Sequence, residues 1–166
     1  MCQFSSDFLI WYNSQKGGFV IKNEPIALEE FVRETVAFYK DMARRKGISI
    51  EYDIPPGLTI FSDSNILSII LRNLVDNAVK YTQQGSVRVV AEQMDGLIRI
   101  RVDDTGPGMS AAKIREILSY TEEETYKATT TFGYRFITEL LRKLGGTLNI
   151  ETRPGSGSTV MINLTT

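Results

Sequence analysis

The stretch from Asp63 to Thr82 constrains what this chain can fold into more than any other part of its sequence. Its aliphatic side chains recur at helical spacing, about 100° per residue, and predict an amphipathic helix with one face in a core. Asn73, Asn77 and Lys80 fall together on another side of that helix, about 130° from the apolar stripe. A polar helix face is most often a solvated one, so the spacing alone leaves open whether these three side chains bind anything. The apolar stripe comprises Leu67, Ile70, Leu71, Leu74, Val75 and Ala78.

Helices and strands alternate along the rest of the chain. Asp95-Gly96 lies between two alternating apolar runs, which predicts an antiparallel hairpin, whereas residues 119–131 have no periodicity and predict a mobile loop. The predicted fold class is therefore α+β, a two-layer α/β sandwich with a mixed, mostly antiparallel sheet that helices cover on one face. The other predicted helices cover residues 28–45, 110–118 and 132–144, and the predicted strands cover residues 19–27, 48–54, 58–61, 87–94, 97–102, 147–152 and 159–164.

Composition and charge exclude several classes of function. The formal net charge is −1, so the chain lacks the basic excess that a nucleic-acid partner requires. It contains no histidine, which excludes a histidine base, metal ligand or phosphohistidine within it, and its single cysteine, Cys2, excludes an internal disulfide. The apolar run at residues 8–12 is too short to span a bilayer, so we expect no transmembrane segment and a cytoplasmic location. Residues 1–18 end in a linker composition, and we expect them to be the end of a helix whose partner lies upstream.

The glycine-rich segment Asp104-Thr-Gly106-Pro-Gly108-Met109 follows a predicted strand and precedes a predicted helix. With Ala111 its glycines match the dinucleotide-binding fingerprint, but that fingerprint requires a parallel βαβ unit, and this strand belongs to a hairpin. The carboxylates of Asp103 and Asp104 would also repel a pyrophosphate. An aspartate at a strand end can instead accept a hydrogen bond from an exocyclic amine such as that of adenine, beside glycines that let a flat base approach the backbone. A simple tight turn is the other interpretation that the segment allows.

Together, the helix and the glycine loop resemble the catalytic, ATP-binding domain of sensor histidine kinases, which belongs to the superfamily shared with gyrase B and MutL. Asn73-Leu-Val-Asp-Asn77-Ala-Val-Lys80-Tyr81-Thr82 resembles the N box of that family, and Asp104-Thr-Gly106-Pro-Gly108-Met109 resembles its G1 box. Gly145-Gly-Thr-Leu and Gly155-Ser-Gly-Ser-Thr159 resemble the segments that close the domain. The resemblance implies the Bergerat fold, an ATP-binding catalytic domain over residues 19–166, and the end of an upstream dimerisation helix or linker over residues 1–18.

The resemblance also implies ATP and Mg²⁺ as ligands and assigns roles to individual residues. Asn77 would bind Mg²⁺ through its carboxamide oxygen, and Asn73 and Lys80 would face the phosphates as the catalytic residues. In the gyrase and MutL branches a glutamate that activates water stands at the position of Asn73. An amide cannot act as a general base, which favours phosphoryl transfer to a positioned acceptor over hydrolysis. The other implied nucleotide contacts are Tyr81, Asp104, Gly106, Gly108, Met109, Gly133 and Ser158.

The chain departs from the family at its last glycine box and in its lid. Thr131-Phe132-Gly133-Tyr134 stands where the family usually has Gly-x-Gly-Leu, and Leu118 and Thr121 stand where the lid usually has aromatic residues. We expect the acidic run Glu122-Glu-Glu124 to face solvent. Two functions are therefore carried forward. One is a working kinase domain that phosphorylates a histidine on a separate dimerisation domain and serves a response regulator. The other is a degenerate nucleotide-binding or regulatory module without turnover.

Overall fold

The computed structural model describes residues 20–118 and 132–165, and the predictions for residues 1–19 and 119–131, which include the lid and Thr131, lie outside those ranges. Within the described ranges the chain forms a two-layer α+β structure, as predicted. No helix there is both long and apolar enough to cross a membrane. The elements are β1 (Glu24–Ala27), α1 (Leu28–Lys46), β2 (Ser49–Asp53), β3 (Thr59–Ser62), α2 (Ser64–Tyr81), β4 (Ser86–Met94), β5 (Leu97–Asp104), α3 (Ala111–Leu118), α4 (Phe132–Lys143), β6 (Thr147–Arg153) and β7 (Gly157–Thr165).

The main sheet has the strand order β2-β4-β5-β7-β6, and β2 and β4 are its parallel pair. The remaining neighbours are antiparallel, which confirms the predicted mixed, mostly antiparallel sheet. The predicted hairpin is also confirmed, because Met94 pairs with Leu97 across Asp95-Gly96. Gly96 has φ 76°, a conformation that glycine adopts without the steric cost other residues incur.

A second, two-stranded sheet formed by β1 and β3 was not predicted. The predicted first strand, residues 19–27, was too long within the described residues, because strand structure there begins at Glu24. All four residues of β1 pair with the four residues of β3. The residues before Glu24 have no further β3 residue to pair with, and Val20 is 85% exposed. The length of β1 is therefore set by its partner strand and not by its own sequence.

Helices cover one face of the main sheet, as the sequence predicted. Alternate residues of the central strands are buried, which is the pattern of a sheet with one face in a core. The opposite face carries charged side chains, among them Arg99, whose guanidinium lies 3.5 Å from the carboxylate of Glu92. The buried aliphatic residues that follow this alternation are Val87, Val89, Ala91, Ile98, Ile100, Val102, Val160, Ile162 and Leu164, and Met161 of β7 is buried in addition.

Helix α2 crosses this covered face, and its predicted apolar stripe is buried along its whole length. Its first turn is capped by Asp63, whose Oδ1 accepts hydrogen bonds from the backbone N–H groups of Asn65 at 3.0 Å and Ile66 at 3.1 Å. Such a cap satisfies N–H groups that have no partner inside the helix. At the other end the ammonium of Lys46 donates to the carbonyl oxygens of Val79 at 2.6 Å and Lys80 at 2.8 Å. Both ends of α2 are thus held in place, which fixes the side chains of its last turns.

Candidate functional site

The register of the sheet brings distant parts of the chain into one row. Asp104, the last residue of β5, pairs with Ser158 on β7, and Ser158 pairs with Thr152 on β6. Because side chains alternate between the faces of a sheet, these three lie on the same face as the buried Val102 and Val160. They therefore point toward the helix layer.

A cavity of about 330 Å³ lies between this row and the C-terminal half of α2. Its volume falls at the lower end of the range typical of small-molecule sites, about 300–1,000 Å³. Its wall is mainly apolar, with a few polar groups from α2, β5, β7 and the start of α4. The lining residues are Leu74, Asn77, Ala78, Tyr81, Val102, Asp104, Pro107, Gly108, Met109, Ser110, Lys113, Tyr134, Ser158 and Val160.

Asp104 is the ionisable group at the sheet end of the cavity. Its Oδ1 accepts a hydrogen bond from the backbone N–H of Gly106 at 2.8 Å. Burial raises the pKa of the Asp104 carboxyl above its ordinary value, and the neighbouring Asp103 adds to the increase, whereas backbone hydrogen bonds from Gly106 and Ser158 oppose it. A half-buried carboxylate in an apolar cavity gains from a ligand that donates a hydrogen bond to it.

The glycine loop after β5 packs directly on the β6–β7 hairpin. Gly108 has φ 69°, and a Cβ on it would lie 2.2 Å from the carbonyl oxygen of Arg153. Gly157 has φ 95°, and a Cβ on it would lie 2.0 Å from the carbonyl oxygen of Asp104. The backbone N–H of Gly155 donates to the carbonyl of Pro107 at 2.7 Å. Only glycine allows these backbones to approach so closely, so the two loops form one wall of the cavity.

The hydroxyl of Thr152 joins the two loops, although Thr152 belongs to none of the sequence motifs. It accepts a hydrogen bond from the backbone N–H of Met109 at 2.8 Å and lies 3.1 Å from the carbonyl oxygen of Gly157, to which it donates. It also lies 2.9 Å from the hydroxyl oxygen of Ser158. Nothing in the local sequence marks this threonine, because its role depends on the register between β6 and β7.

The end of the cavity beside helix α2 is formed by Asn77 and its neighbours. The Nδ2 of Asn77 donates a hydrogen bond to the Oδ1 of Asn73 at 3.2 Å. Asn73 lies behind Asn77 and is not among the lining residues. Gly133 allows α4 to approach this pair, since a Cβ on it would lie 3.0 Å from Asn73 Oδ1. The next residue, Tyr134, is 7% exposed and lines the cavity beside Asn77.

Tyr134 was missed as a site residue because it was noted only as a departure from the family motif. Burial, together with the nearby Asp104 and Tyr81, raises the pKa of its phenol to about 12, and the neighbouring Asn77 side chain partly opposes the increase. The phenol is therefore neutral at physiological pH. Lys113 also lines the cavity without having been predicted, and its ammonium lies 3.6 Å from the carboxylate of Glu116.

The structure brings some of the predicted site residues to the cavity wall and leaves others outside it. Lys80 is exposed, with its ammonium 5.5 Å from the centre of the Tyr81 ring. Burial raises the pKa of the Asp76 carboxyl above its ordinary value, and the charge of Lys80 partly opposes the increase. Gly106 is buried behind Asp104, where a Cβ would lie 2.8 Å from Oδ1. Of the predicted residues, Asn77, Tyr81, Asp104, Gly108, Met109 and Ser158 line the cavity, and Asn73, Lys80, Gly106 and Gly133 do not.

The polar groups of the cavity are compatible with a metal ion whose ligands come mainly from a nucleotide and not from the protein. Residues 20–118 and 132–165 contain no group of three or more acidic, cysteine or histidine side chains that could hold a metal. Mg²⁺ commonly takes one or two protein ligands and completes its shell with phosphate oxygens and water. Because the nitrogen of the Asn77 carboxamide donates to Asn73, its oxygen is the atom that can serve as a ligand.

Comparisons with known proteins agree with this geometry. Residues 62–166 match the profile of the family described as histidine kinase-, DNA gyrase B-, and HSP90-like ATPase. The autoinducer 2 sensor kinase/phosphatase LuxQ of Vibrio harveyi is 29% identical over 96% of this chain and 20% of its own length. The adaptive-response sensory kinase SasA of Synechocystis is 30% identical over 92% of this chain and 40% of its own length. The chain thus spans less than half the length of either relative.

Solved structures show the same fold. Full-length ShkA in complex with AMPPNP has a TM-score of 0.77 at 25% identity, over 98% of this chain and 36% of that one. The histidine kinase AdeS of Acinetobacter baumannii also has a TM-score of 0.77, at 19% identity, over 97% of this chain and 76% of that one. At this low identity the second likeness concerns the fold alone.

Proposed function

From the premise that this chain belongs to the histidine kinase-, DNA gyrase B-, and HSP90-like ATPase family, we propose that it works as the catalytic domain of a sensor histidine kinase. The chain binds ATP and delivers the γ-phosphoryl group to a histidine on a separate dimerisation domain. One observation carries the proposal. Asn77 and Asp104, which come from two different motifs, line one cavity together with Ser158.

The cavity suggests how ATP is held. Asp104 accepts a hydrogen bond from the exocyclic amine of adenine, and the close packing of Gly108 on the β6–β7 hairpin forms the flat wall beside the base. Tyr81, at the mouth of the cavity, packs near the base or ribose. Asn77 would hold Mg²⁺ through its carboxamide oxygen, and the ion would neutralise charge on the phosphates. Asn73 supports Asn77 and faces the phosphates with Lys80, which reaches them by turning away from the Tyr81 ring.

The residue types favour transfer over hydrolysis. Phosphoryl transfer depends mainly on positioning and charge stabilisation, and Asn73 has no basic group with which to activate water. The acceptor imidazole attacks the γ-phosphorus, the bond to the β-phosphate oxygen breaks, ADP leaves, and the imidazole loses a proton. The chain contains no histidine, so the acceptor must lie elsewhere.

The wider assignments belong to the same proposal. Residues 1–18 connect the catalytic domain, residues 19–166, to the dimerisation helix that carries the acceptor, and a response regulator receives the phosphoryl group afterwards. A cytoplasmic location follows from the use of ATP as substrate. The alternative of a module without turnover has no support from the comparisons, whose relatives are sensor kinases.

The first test is calorimetric titration with ATP, with and without Mg²⁺, of the unmodified chain and of Asn77→Ala. We expect magnesium-dependent binding that Asn77→Ala abolishes. Asn65→Ala, an exposed asparagine on the same helix, is the matched control and should bind normally. No binding at millimolar ATP would contradict the proposal.

A second test supplies a separate acceptor domain and labelled ATP. Transfer of label to the histidine of that domain is expected. ATP binding without transfer at any protein concentration would leave a nucleotide-binding module in place of a kinase domain.

A further inference from the structure

We propose that Lys113 binds the phosphate groups of ATP, and that its ammonium exchanges the carboxylate of Glu116 for them when the nucleotide binds. The inference rests on the proposed function, because it concerns the substrate of the same cavity. Lys113 belongs to none of the motifs through which the chain resembles its family. The resemblance therefore assigns no role to this lysine.

The packing of α3 places Lys113 on the inward face of that helix. Ile117, in the last turn of α3, is 3% exposed and belongs to the hydrophobic core. Residues four positions apart lie on the same face of a helix, so Lys113 is one turn before Ile117 on the inward face. The hydroxyl oxygen of Ser110 accepts a hydrogen bond from the backbone N–H of Lys113 at 3.2 Å, and both residues line the cavity. Lysine is among the residues least often buried, so its place on this face points to a use of its charge.

Lys113 supplies the positive charge of the cavity wall. Within residues 20–118 and 132–165 it is the only basic side chain among the lining residues. Lys80, which the family motif assigns to the phosphates, lies outside that wall, with its ammonium 5.5 Å from the centre of the Tyr81 ring. A lysine ammonium attracts phosphate oxygens as a compact point charge with three N–H donors. Lys113 is therefore the cation that a nucleotide in this cavity meets without a rearrangement of α2.

The ion pair between Lys113 and Glu116 is weak enough to be exchanged. The ammonium lies 3.6 Å from the carboxylate, which is longer than the roughly 2.7–2.9 Å of a charge-assisted hydrogen bond. The two side chains are 27% and 43% exposed, and ion pairs that water reaches contribute little free energy. A phosphate group carries more negative charge and more acceptor oxygens than one carboxylate, so the exchange favours the nucleotide.

The test measures the binding of ATP and of adenosine, both in Mg²⁺, to the unmodified chain, Lys113→Met and Lys40→Met. Calorimetry follows ATP, and amide shifts in nuclear magnetic resonance follow adenosine. Methionine keeps an unbranched apolar side chain and removes the ammonium. Lys40 is exposed on α1 and does not line the cavity, so Lys40→Met removes the same charge away from the site.

The two lysine variants should behave differently. We expect Lys113→Met to raise the dissociation constant for ATP about tenfold, the lower limit for loss of a hydrogen bond to a charged group. Adenosine has no phosphate, so its binding should not change. Lys40→Met should match the unmodified chain with both ligands.

Glu116→Gln tests the exchange in the opposite direction. It removes the carboxylate that competes for the ammonium, so ATP should bind about 1.4- to 5-fold more tightly. The gain should disappear when Glu116→Gln is combined with Lys113→Met, because the ammonium for which Glu116 competes is then absent. Thermal unfolding checks that each variant is folded, and Lys113→Gln replaces Lys113→Met if the latter does not fold.

Several results would overturn the inference. Unchanged ATP binding in Lys113→Met would refute the phosphate contact and leave the proposed function intact. Equal losses for ATP and adenosine would make Lys113 part of the wall around the base, and an equal loss in Lys40→Met would reduce the effect to net charge. No gain from Glu116→Gln, or a gain that persists in the double variant, would refute the exchange. Failure of the unmodified chain to bind ATP would contradict the proposed function, and the inference would fail with it.

Discussion

Replacement of Asp104 by asparagine tests the adenine end of the cavity most directly. Asparagine has nearly the shape of aspartate and keeps one oxygen, so it can still accept the hydrogen bond that the N–H of Gly106 makes at 2.8 Å. It exchanges the second acceptor oxygen for an NH₂ group, which only donates. The exocyclic amine of adenine would then meet a donor where it requires an acceptor.

The size of the effect follows from the environment of Asp104. Burial raises its pKa, which shows that the carboxylate is partly removed from water. A buried donor left without an acceptor costs about 1–3 kcal/mol, and each 1.4 kcal/mol is about tenfold in affinity. We therefore expect the dissociation constant for ATP to rise by about 5- to 150-fold in Asp104→Asn.

Guanine provides the matched control, because it carries a carbonyl acceptor where adenine carries the amine. The carboxylate repels that carbonyl, whereas the NH₂ group of asparagine can donate to it. The ratio of ATP to GTP affinity should therefore fall in Asp104→Asn by more than the ATP affinity alone.

Isothermal titration with both nucleotides, together with thermal unfolding of each protein, measures this ratio. A folded Asp104→Asn protein with an unchanged ATP dissociation constant would refute the assignment of Asp104 to the adenine amine. Equal losses for the two nucleotides would place the effect on the loop and not on base recognition.

The remaining predictions concern stability and pH. Gly108→Ala should lower the free energy of unfolding by more than about 1 kcal/mol, because an alanine Cβ would lie 2.2 Å from the carbonyl oxygen of Arg153. Gly57→Ala is the control in denaturant titrations and should cost less, since Gly57 also has a positive φ, 76°, but no atom lies within 4 Å of an added Cβ. Equal losses of stability in the two variants would rule out the close contact as the cause. Thr152→Val should lower the melting temperature and weaken ATP binding, because it removes the hydroxyl that accepts a hydrogen bond from the backbone N–H of Met109. Thr59 is exposed, and Thr59→Val should change neither quantity. A Thr152→Val protein that matched the unmodified chain in both would contradict the role of this hydroxyl. Because the folded-state pKa of Asp104 is raised above 3.8, its contribution to stability is full below that value and is lost as pH rises through the folded pKa. The melting temperature of the unmodified chain should therefore fall over that pH range relative to the melting temperature of Asp104→Asn, which has no carboxyl group at this position. Parallel profiles of melting temperature against pH for the two proteins would contradict this prediction.

Helix α2 shows how much the sequence determined. The spacing of its aliphatic residues predicted a buried stripe, and each residue of that stripe is buried. Asp63, at the start of the predicted helical stretch, caps the helix with its side chain. The antiparallel hairpin at Asp95-Gly96 was also predicted from the sequence, and the structure confirms it. These features depend on residues within a few positions of one another, where periodicity and turn preferences act.

The residues of the cavity show the limit of such reasoning. Motifs pointed to Asn77, Asp104 and Ser158, which line one cavity, whereas Lys80, from the same motif as Asn77, lies outside that wall. Neither Thr152 nor Tyr134 could be chosen from a spacing rule, because each reaches the site through a partner on another element.

The sequence by itself therefore determined most of the elements, the fold class and the motif residues, because periodicity and turn preferences depend on neighbouring positions. Only the tertiary structure decided which side chains share a wall. Asp104, Ser158 and Thr152 meet because β5, β7 and β6 pair in one register. Tyr134 reaches Asn77 because a glycine lets α4 approach α2. Such contacts depend on strand order and packing distance, which the spacing of residues along the chain does not specify.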